Sequence, residues 1–316
     1  MKKILITGAT GFIGYHLVKT LWKNSIEIWA VCRESNKDID KIKKIPGIHV
    51  ISCDLNDISK LPVLCTERGF DIFYHIAWDG TTGFFRDDAN LQLQNVNWTI
   101  DCVKVAHLMG CKKIICTGTI CENQYDAIVD CQEYINISSY LIAKRYSRVM
   151  AFNMGKKYNQ NVIWCTFYHP IGIYNKREQI IAHTIQSILR KESVSFGSGN
   201  GLFDIIDVSD LARALYIMGN VTLAKNIYFV GSGNPLRLKE YLQIVKREID
   251  NKAVLNFGKL PLPELPMKRE WLDTTDFCTE TGFRPLINLI NSIHAMEKWM
   301  LNIDKYETNK WNYRKW

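Results

Sequence analysis

The stretch "ITGATGFIG", residues 6–14, limits the fold of this chain more than any other part of its sequence. Gly8, Gly11 and Gly14 lie between a short apolar run, "KKILIT", and a segment whose apolar residues recur at helical spacing, "FIGYHLVKTLWKN". Glycines at this spacing also occur in ordinary turns. Between a strand and a helix, however, they allow a tight turn and bring main-chain N–H groups to a pyrophosphate. The flanking segments therefore favour a phosphate-binding turn.

Alternating strands and helices follow this turn. The runs "IEIWAVC", "IHVISCD" and "FDIFYHIA" predict three further strands, and helices are predicted from about Asn90 to Met109 and around Tyr140 to Tyr158. "KKIICTG" predicts the strand that follows the first of these helices, and "VIWCTFY" predicts the strand that follows the second. This alternation predicts an α/β fold with a doubly wound parallel sheet covered on both faces.

After Tyr168 the pattern loosens, and we predict three parts of the chain. Residues 1–168 form a dinucleotide-binding domain, and 169–303 form a smaller substrate-binding lobe whose segments return to the sheet. Residues 304–316 form a C-terminal tail, either flexible or docked. Because Trp311, Tyr313 and Trp316 are costly to leave in water, our hypothesis is that the tail docks on its own lobe or on a partner subunit.

The net charge does not indicate a nucleic-acid partner. The 316 residues contain 40 Lys and Arg against 32 Asp and Glu, a formal charge of +8. No window holds a run of basic residues typical of a nucleic-acid arm, and the cluster from Lys41 to Lys44 lies in a predicted loop. No apolar run is long enough to span a membrane, and the chain reaches its glycines too early for a signal-peptide core. We therefore predict no membrane partner and a cytoplasmic location.

The ten cysteines are scattered singly, as Cys32, Cys53, Cys116 and Cys165 show, and this pattern predicts buried, reduced thiols. CxxC pairs are absent from the sequence. The spacing of His107 and Cys111 lacks a second pair of ligands, so no metal site is predicted.

A tyrosine and a lysine supply the candidate acid–base chemistry. Tyr140 and Lys144 in "SSYLIAKRY" are four residues apart and therefore lie on one helix face. An ammonium near a phenol lowers the pKa of the phenol from about 10, so that Tyr140 exchanges a proton with a hydroxyl or a ketone. Alone, the pair would be an ordinary surface pair. "CTGTIC" ends the preceding strand and offers Thr119 to bind the substrate oxygen, with Thr117 as the competing residue.

Together, the glycine turn, Tyr140 with Lys144, and Thr119 resemble the extended short-chain dehydrogenase/reductases, in particular the group of nucleotide-sugar epimerases, dehydratases and reductases. The segments "CDL", "YHIAW", "NVNWT" with Asn95, "FDIIDVSDLARAL" and "ETGFRPL" resemble further motifs of that family. "AWDGTTG", "GTICE" and "FGKLPLPELP" resemble a subgroup of 4-ketoreductases that includes CDP-abequose-type synthases. The resemblance covers nearly the whole chain.

The resemblance implies a Rossmann-type sheet, a nicotinamide cofactor, a nucleotide-sugar substrate and a homodimer packed through two helices, one of them bearing Tyr140. The catalytic residues it implies are Thr119, Tyr140 and Lys144. The cofactor-binding residues it implies are Gly8, Thr10, Gly11, Phe12, Ile13, Gly14, Arg33, Asp54, Leu55, Ile76, Ala77, Trp78, Thr117, Tyr140 and Lys144. The substrate-binding residues it implies are Asp79, Thr81, Thr119, Glu122, His169 and Arg237.

The sequence departs from the family pattern on the substrate side. Phe203 replaces the expected arginine, "YHPIGIYN" lacks the asparagine that normally meets the substrate phosphate, and Asn123 replaces a tyrosine. Arg237 and Arg269 either compensate or are surface residues. Glu122 is either an acid in the pocket or a solvated residue, and the sequence does not rank the two.

The end of the second strand favours NADP(H) over NAD(H). Enzymes that prefer NAD usually place an acidic residue there to hold the ribose hydroxyl, whereas Cys32 and Arg33 offer a cation for a 2′-phosphate. A register shift of one residue would place Glu34 there instead, so NAD(H) remains possible.

The expected function is NADPH-dependent reduction of a 4-keto-6-deoxy sugar on a nucleoside diphosphate, a step of deoxysugar and surface polysaccharide biosynthesis. One alternative is a nucleotide-sugar epimerase or dehydratase with tightly bound NAD. Another is a cofactor-binding protein without catalysis, against which the intact Tyr140 and Lys144 argue.

Overall fold

The computed structural model describes residues 2–129, 137–175, 178–261 and 266–307. Its strands are β1 (Lys3–Thr7), β2 (Glu27–Cys32), β3 (Ile48–Ser52), β4 (Ile72–His75), β5 (Lys113–Thr117), β6 (Asn161–Thr166), β7 (His169–Ile171), β8 (Val194–Ser195), β9 (Leu202–Phe203), β10 (Ile205–Asp207), β11 (Ile227–Phe229), β12 (Leu236–Arg237) and β13 (Leu255–Asn256). Its helices are α1 (Phe12–Lys23), α2 (Ile39–Lys43), α3 (Leu61–Leu64), α4 (Ala89–Leu108), α5 (Glu122–Val129), α6 (Ser139–Tyr158), α7 (Ile180–Leu189), α8 (Val208–Asn220), α9 (Leu238–Ile249), α10 (Thr275–Thr281) and α11 (Leu289–Glu307). Short 3-10 helices occupy Leu55–Lys60, Gly83–Arg86 and Arg269–Leu272.

Seven parallel strands form the central sheet in the order β11-β6-β5-β4-β1-β2-β3. Side chains of β1 alternate between its two faces, so Ile4 and Ile6 pack with α1 and α8, whereas Leu5 packs with α4 and α6. Both faces are thus buried, as expected for a parallel sheet. The predicted Rossmann-type, doubly wound α/β fold is confirmed.

The second half of the chain builds a smaller lobe and also completes the sheet. Helices α7, α9 and α11 share an apolar core, whereas α8 packs against the sheet and β11 pairs with β6. The domain limits at 168 and 303 stay predictions. Helix α11 continues to Glu307, so the first four residues of the predicted tail, 304–307, are helical. The rest of the predicted tail, with Trp311, Tyr313 and Trp316, lies outside the described residues.

Several smaller expectations can be compared with the structure. Lys41 and Lys43 lie in the short helix α2, not in a loop. The nine cysteines of the described ranges are unpaired, and seven of them are buried. Within those same ranges, no helix is both long enough and apolar enough to cross a membrane.

Candidate active site

A cavity of about 1790 Å³ lies at the carboxyl ends of the sheet strands. The strand order reverses between β1 and β4, and such a switch point is where doubly wound sheets bind ligands. All fifteen residues assigned above to the cofactor line this cavity. Of the six residues assigned to the substrate, Asp79, Thr81, Thr119 and His169 line it, whereas Glu122 and Arg237 do not.

The glycine turn closes one end of the cavity. Gly8 has a φ of +77°, and a Cβ there would lie 2.6 Å from Ala77 N at the end of β4. A Cβ on Gly14 would lie 1.9 Å from Gly8 O. Side chains at these two positions would therefore push the turn apart.

The N-terminus of α1 opens onto the cavity beside the turn. Its N-cap is Gly11, no side chain caps it, and its first turn holds no acidic residue. The unsatisfied N–H groups and the positive end of the helix dipole suit an anion. The turn and the helix end thus fit the pyrophosphate of a dinucleotide.

The loop after β2 lines the cavity with Arg33, Ser35 and Lys37. The Arg33 guanidinium lies 3.9 Å from the Asp79 carboxylate, and both side chains are more than half exposed. Glu34 instead lines a neighbouring surface groove and is not among the residues of the cavity. This placement argues against the register shift that would make Glu34 the ribose ligand.

Asn95 of α4 holds the segment that follows β4. Its Oδ1 accepts from Asp79 N (2.8 Å), and its Nδ2 donates to Asp79 O (3.0 Å). Nearby, Trp78 Nε1 donates to Gln92 Oε1 at 3.0 Å. These bonds fix Trp78 and Asp79 in the wall of the cavity. Further along, Thr82 Oγ1 donates to Glu178 Oε2 (2.6 Å), which connects this segment to the lobe.

Helix α6 presents Tyr140 and Lys144 to the cavity. Lys144 is 4% exposed, its Nζ donates to Thr117 O at 2.8 Å, and Nζ lies 3.6 Å from the centroid of the Trp78 ring. Burial lowers the pKa of Lys144 to about 7. Trp78 also makes an edge contact with the Tyr140 ring at 5.9 Å between centroids.

The pKa of Tyr140 differs from the sequence-based expectation. Burial raises it above the usual value of 10, and the largest opposing effect is the positive charge of Arg86. Lys144 Nζ is 6.0 Å from the Tyr140 ring centroid, so desolvation outweighs its attraction for a phenolate. The expected lowering of the pKa is therefore wrong here. Tyr140 is a neutral phenol at neutral pH.

Thr119 and Thr117 are held differently. The Cys121 N–H donates to Thr119 Oγ1 at 3.3 Å, which orients the Thr119 hydroxyl beside the cavity. The Thr117 hydroxyl donates to His75 O, and the Thr117 carbonyl accepts from Lys144. Thr117 thus supports the lysine, and Thr119 is the better placed of the two to bind a substrate oxygen.

Neither expectation for Glu122 fits the structure. Its side chain is fully buried and contacts Thr119 N, Trp164 and Arg148 behind the cavity, so it is neither an acid in the pocket nor a solvated residue. The assignment of Glu122 to the substrate is wrong because α5 begins with its first side chain directed into the core.

Arg237 is also misplaced by the sequence-based assignment. It is exposed at the start of α9, where its N–H donates to Glu240, and it does not line the cavity. Arg269 is exposed as well and donates to Pro235 O. Both are surface residues in the structure, and neither replaces the cation missing at Phe203. Phe203 itself lines the cavity and stacks on Tyr168 at 4.7 Å.

Sequence reasoning missed Arg86. This residue lines the cavity, donates to Thr81 O at 3.2 Å, and places its guanidinium carbon 4.4 Å from the Tyr140 ring centroid. A signal existed, because Arg86 is the only Lys or Arg among residues 69–103, which include the carboxyl end of β4.

Three buried polar atoms of the cavity have no hydrogen-bond partner among the described residues: Ser138 Oγ, His169 Nε2 and Gln179 Oε1. Burial lowers the pKa of His169 to about 4, so its ring is neutral. Buried polar atoms are normally paired, so these three are suited to bind polar groups of a ligand.

Residues 4–231 match the model of the NAD dependent epimerase/dehydratase family. The chain is 23% identical to CDP-abequose synthase of Salmonella muenchen, over 93% of this chain and 97% of that protein. It is 25% identical to dTDP-6-deoxy-L-talose 4-dehydrogenase (NAD(+)) of Aggregatibacter actinomycetemcomitans, over 85% of this chain and 98% of that protein. Its fold is similar to that of UDP-glucuronic acid 4-epimerase from Bacillus cereus, solved with UDP-glucuronic acid and NAD. That likeness has a TM-score of 0.76 at 19% identity and covers 95% of this chain and 99% of that one.

Proposed function

Because the chain belongs to the NAD dependent epimerase/dehydratase family, we propose that it reduces a 4-keto-6-deoxy sugar carried on a nucleoside diphosphate, with NADPH as the reductant. The observation that carries this proposal is the placement of the Tyr140 phenol, the Lys144 amine and the Thr119 hydroxyl along one cavity. A phenol that keeps its proton at neutral pH is suited to give that proton to a ketone oxygen.

The loop after β2 supports NADPH. Arg33 and Lys37 offer two cations and Ser35 a hydroxyl to a 2′-phosphate, whereas Glu34 lies in the neighbouring groove. The exposed pair of Arg33 with Asp79 is weak, so the guanidinium is available to a stronger anion. NAD in the solved relative leaves NAD(H) as the alternative cofactor.

Each residue at the centre of the cavity has a defined part in the reduction. When bound, a reduced nicotinamide supplies the hydride that adds to the ketone carbon. Thr119 donates a hydrogen bond to the ketone oxygen, and Tyr140 gives its proton to that oxygen, so that the ketone becomes a secondary alcohol. Lys144, held by the Thr117 carbonyl, binds the nicotinamide ribose and stabilises the phenolate left on Tyr140.

The substrate half of the cavity suits a nucleotide sugar. The unpartnered atoms of Ser138, His169 and Gln179 are suited to sugar hydroxyls and phosphate oxygens, and Arg86 supplies a positive charge next to Tyr140. CDP-abequose synthase, a relative over nearly the full length, supports a nucleotide-linked deoxysugar as the substrate class.

Epimerisation with tightly bound NAD is the second candidate function, favoured by the likeness to UDP-glucuronic acid 4-epimerase. Dehydration has less support. Elimination of water from a sugar needs an acid and a base besides Tyr140. Glu122 carries the carboxylate nearest to Thr119 in sequence, and this carboxylate is directed away from the cavity.

We also propose a homodimer packed through α4 and α6. Ile142, Tyr146 and Val149 form an exposed apolar row on α6, and Leu93 is exposed on α4. Their burial against a second copy would remove this surface from water.

The deciding experiment follows the absorbance of the dihydronicotinamide after the purified protein is mixed with NADPH and CDP- or dTDP-linked 4-keto-6-deoxyhexoses. We expect the protein to purify largely without cofactor and to oxidise one NADPH per ketosugar reduced, because a reductase must exchange its cofactor at each turnover. Stoichiometric bound NAD, with conversion of a nucleotide sugar and no net absorbance change, would replace the reductase with the epimerase.

A further inference from the structure

Glu122 is a fully buried carboxylate with no part in the chemistry described above. It is the first residue of α5 and 0% exposed. Its Oε1 accepts from Thr119 N at 2.8 Å and from Trp164 Nε1 at 3.1 Å. One oxygen thus joins the segment after β5, which carries Thr119, to β6.

The second carboxylate oxygen of Glu122 lies 3.3 Å from Arg148 Nη1. Arg148 lies four residues after Lys144 and eight after Tyr140, so α6 carries all three on neighbouring positions of one face. A buried carboxylate needs both a counter-charge and hydrogen bonds, and Glu122 has both. Burial raises the pKa of Glu122, and the Arg148 charge is the largest effect that opposes this rise.

Gly118 is the residue that lets this arrangement form. A Cβ at Gly118 would lie 2.0 Å from Trp164 Nε1 and 2.5 Å from Glu122 Oε1. Any larger residue would separate the carboxylate from its two donors. The glycine between Thr117 and Thr119 therefore makes room for Glu122, outside the cavity.

The charge on Lys144 depends on the titratable groups near its amine. Besides Glu122 on α5, the titratable groups near its amine are Cys116 on β5, His75 on β4 and Tyr140 on α6. Burial raises the pKa of Cys116 to about 12 and lowers that of His75 to about 3, so both are neutral. Tyr140 is a neutral phenol. Among these described neighbours, Glu122 is the one whose negative charge most favours the ammonium form of Lys144.

We propose that Glu122 is a positioning residue of the active site, whose carboxylate fixes the main chain of Thr119 and favours the ammonium form of the buried Lys144. The inference rests on the proposed function only for the parts that Thr119 and Lys144 take in the reaction. Arg148 is the counter-ion whose charge favours the ionised carboxylate.

The Trp78 ring offers a probe of Lys144 that needs neither substrate nor cofactor, because the amine lies 3.6 Å from the ring centroid. A pH titration of tryptophan fluorescence should show a transition near the Lys144 pKa of about 7. Trp78→Phe should remove this transition and so assigns it. Glu122→Gln, which keeps an acceptor oxygen but removes the charge, should lower the midpoint by about one pH unit or more.

The double variant Glu122→Gln/Arg148→Met separates positioning from simple stabilisation. Replacing both members of a buried ion pair is often neutral for stability, so we expect a near wild-type melting temperature but a midpoint that stays low. A wild-type midpoint in Glu122→Gln overturns the proposal. If the midpoint falls but the protein reduces no ketosugar, the proposal holds and only the reductase function is overturned, because the titration uses the protein alone.

Discussion

The guanidinium carbon of Arg86 lies 4.4 Å from the centroid of the Tyr140 ring. These residues come from different elements, since Arg86 ends a short 3-10 helix between β4 and α4, whereas Tyr140 lies in the first turn of α6. The contact places a permanent positive charge beside the Tyr140 phenol. In the proposed reduction, Tyr140 is the proton donor and this charge lies where an anionic or hydroxyl-rich substrate would bind.

Arg86→Gln should therefore weaken the substrate more than the cofactor. Loss of a charged contact of about 1.5 to 3 kcal/mol raises the KM for the ketosugar about 10- to 150-fold. The Kd of NADPH should change by less than about twofold, because Arg86 contacts Thr81 and Tyr140 and not the glycine turn or the loop after β2. Steady-state kinetics and fluorescence titration of NADPH measure the two effects. An unchanged KM would show that Arg86 does not meet the substrate.

Tyr140→Phe removes only the phenolic oxygen. We expect kcat to fall by about 10² or more, the usual contribution of a positioned acid, while NADPH still binds. Single-turnover oxidation of NADPH gives the rate, and equilibrium titration gives the affinity. Turnover close to that of the wild type would remove Tyr140 as the acid.

Arg33→Ala should weaken NADPH far more than NADH, because a charge-assisted contact to phosphate contributes about 1.5 to 3 kcal/mol. Glu34→Ala is the matched control, since Glu34 lies in the neighbouring groove and should leave the ratio of the two affinities unchanged. Equal weakening of both cofactors by Arg33→Ala would exclude Arg33 as the selector.

The reductive kcat/KM should fall as pH rises through the Lys144 pKa of about 7. The proposed reduction needs the ammonium form of Lys144, which is lost above that pKa, and the phenol form of Tyr140, which the raised pKa of Tyr140 preserves over the same range. The decline should approach about tenfold per pH unit at higher pH. A rate that is constant up to pH 9 would show that the charge of Lys144 is not required.

Tyr146→Glu should shift the protein from dimer to monomer. Tyr146 is 52% exposed in the middle of the apolar row on α6, and burying a carboxylate there would be costly. Light scattering on a size-exclusion column measures the mass. Val63→Glu, at a residue 83% exposed on α3, should not change it. A dimer that survives the Tyr146 change would place the interface elsewhere.

Sequence by itself determined the features that depend on local geometry. The glycine turn could be read because strand, tight turn and helix follow each other directly, and positive φ at Gly8 requires glycine. The four-residue spacing of Tyr140 and Lys144 fixes a shared helix face wherever the helix lies. The alternation of apolar runs gave the parallel sheet, and with it the edge where the cavity forms.

Tertiary structure decided everything that depends on burial and on distances between elements. Glu122 reads as a polar residue after a strand, yet packing places it in the core against Arg148 and Trp164. The pKa of Tyr140 rises instead of falling, because the desolvation of a side chain is set by residues far away in sequence. Arg86 reaches Tyr140 only once β4 and α6 have packed. Spacing along the chain fixes which face of a helix or strand a side chain occupies. Its charge and its solvation depend on the residues that other elements pack against it.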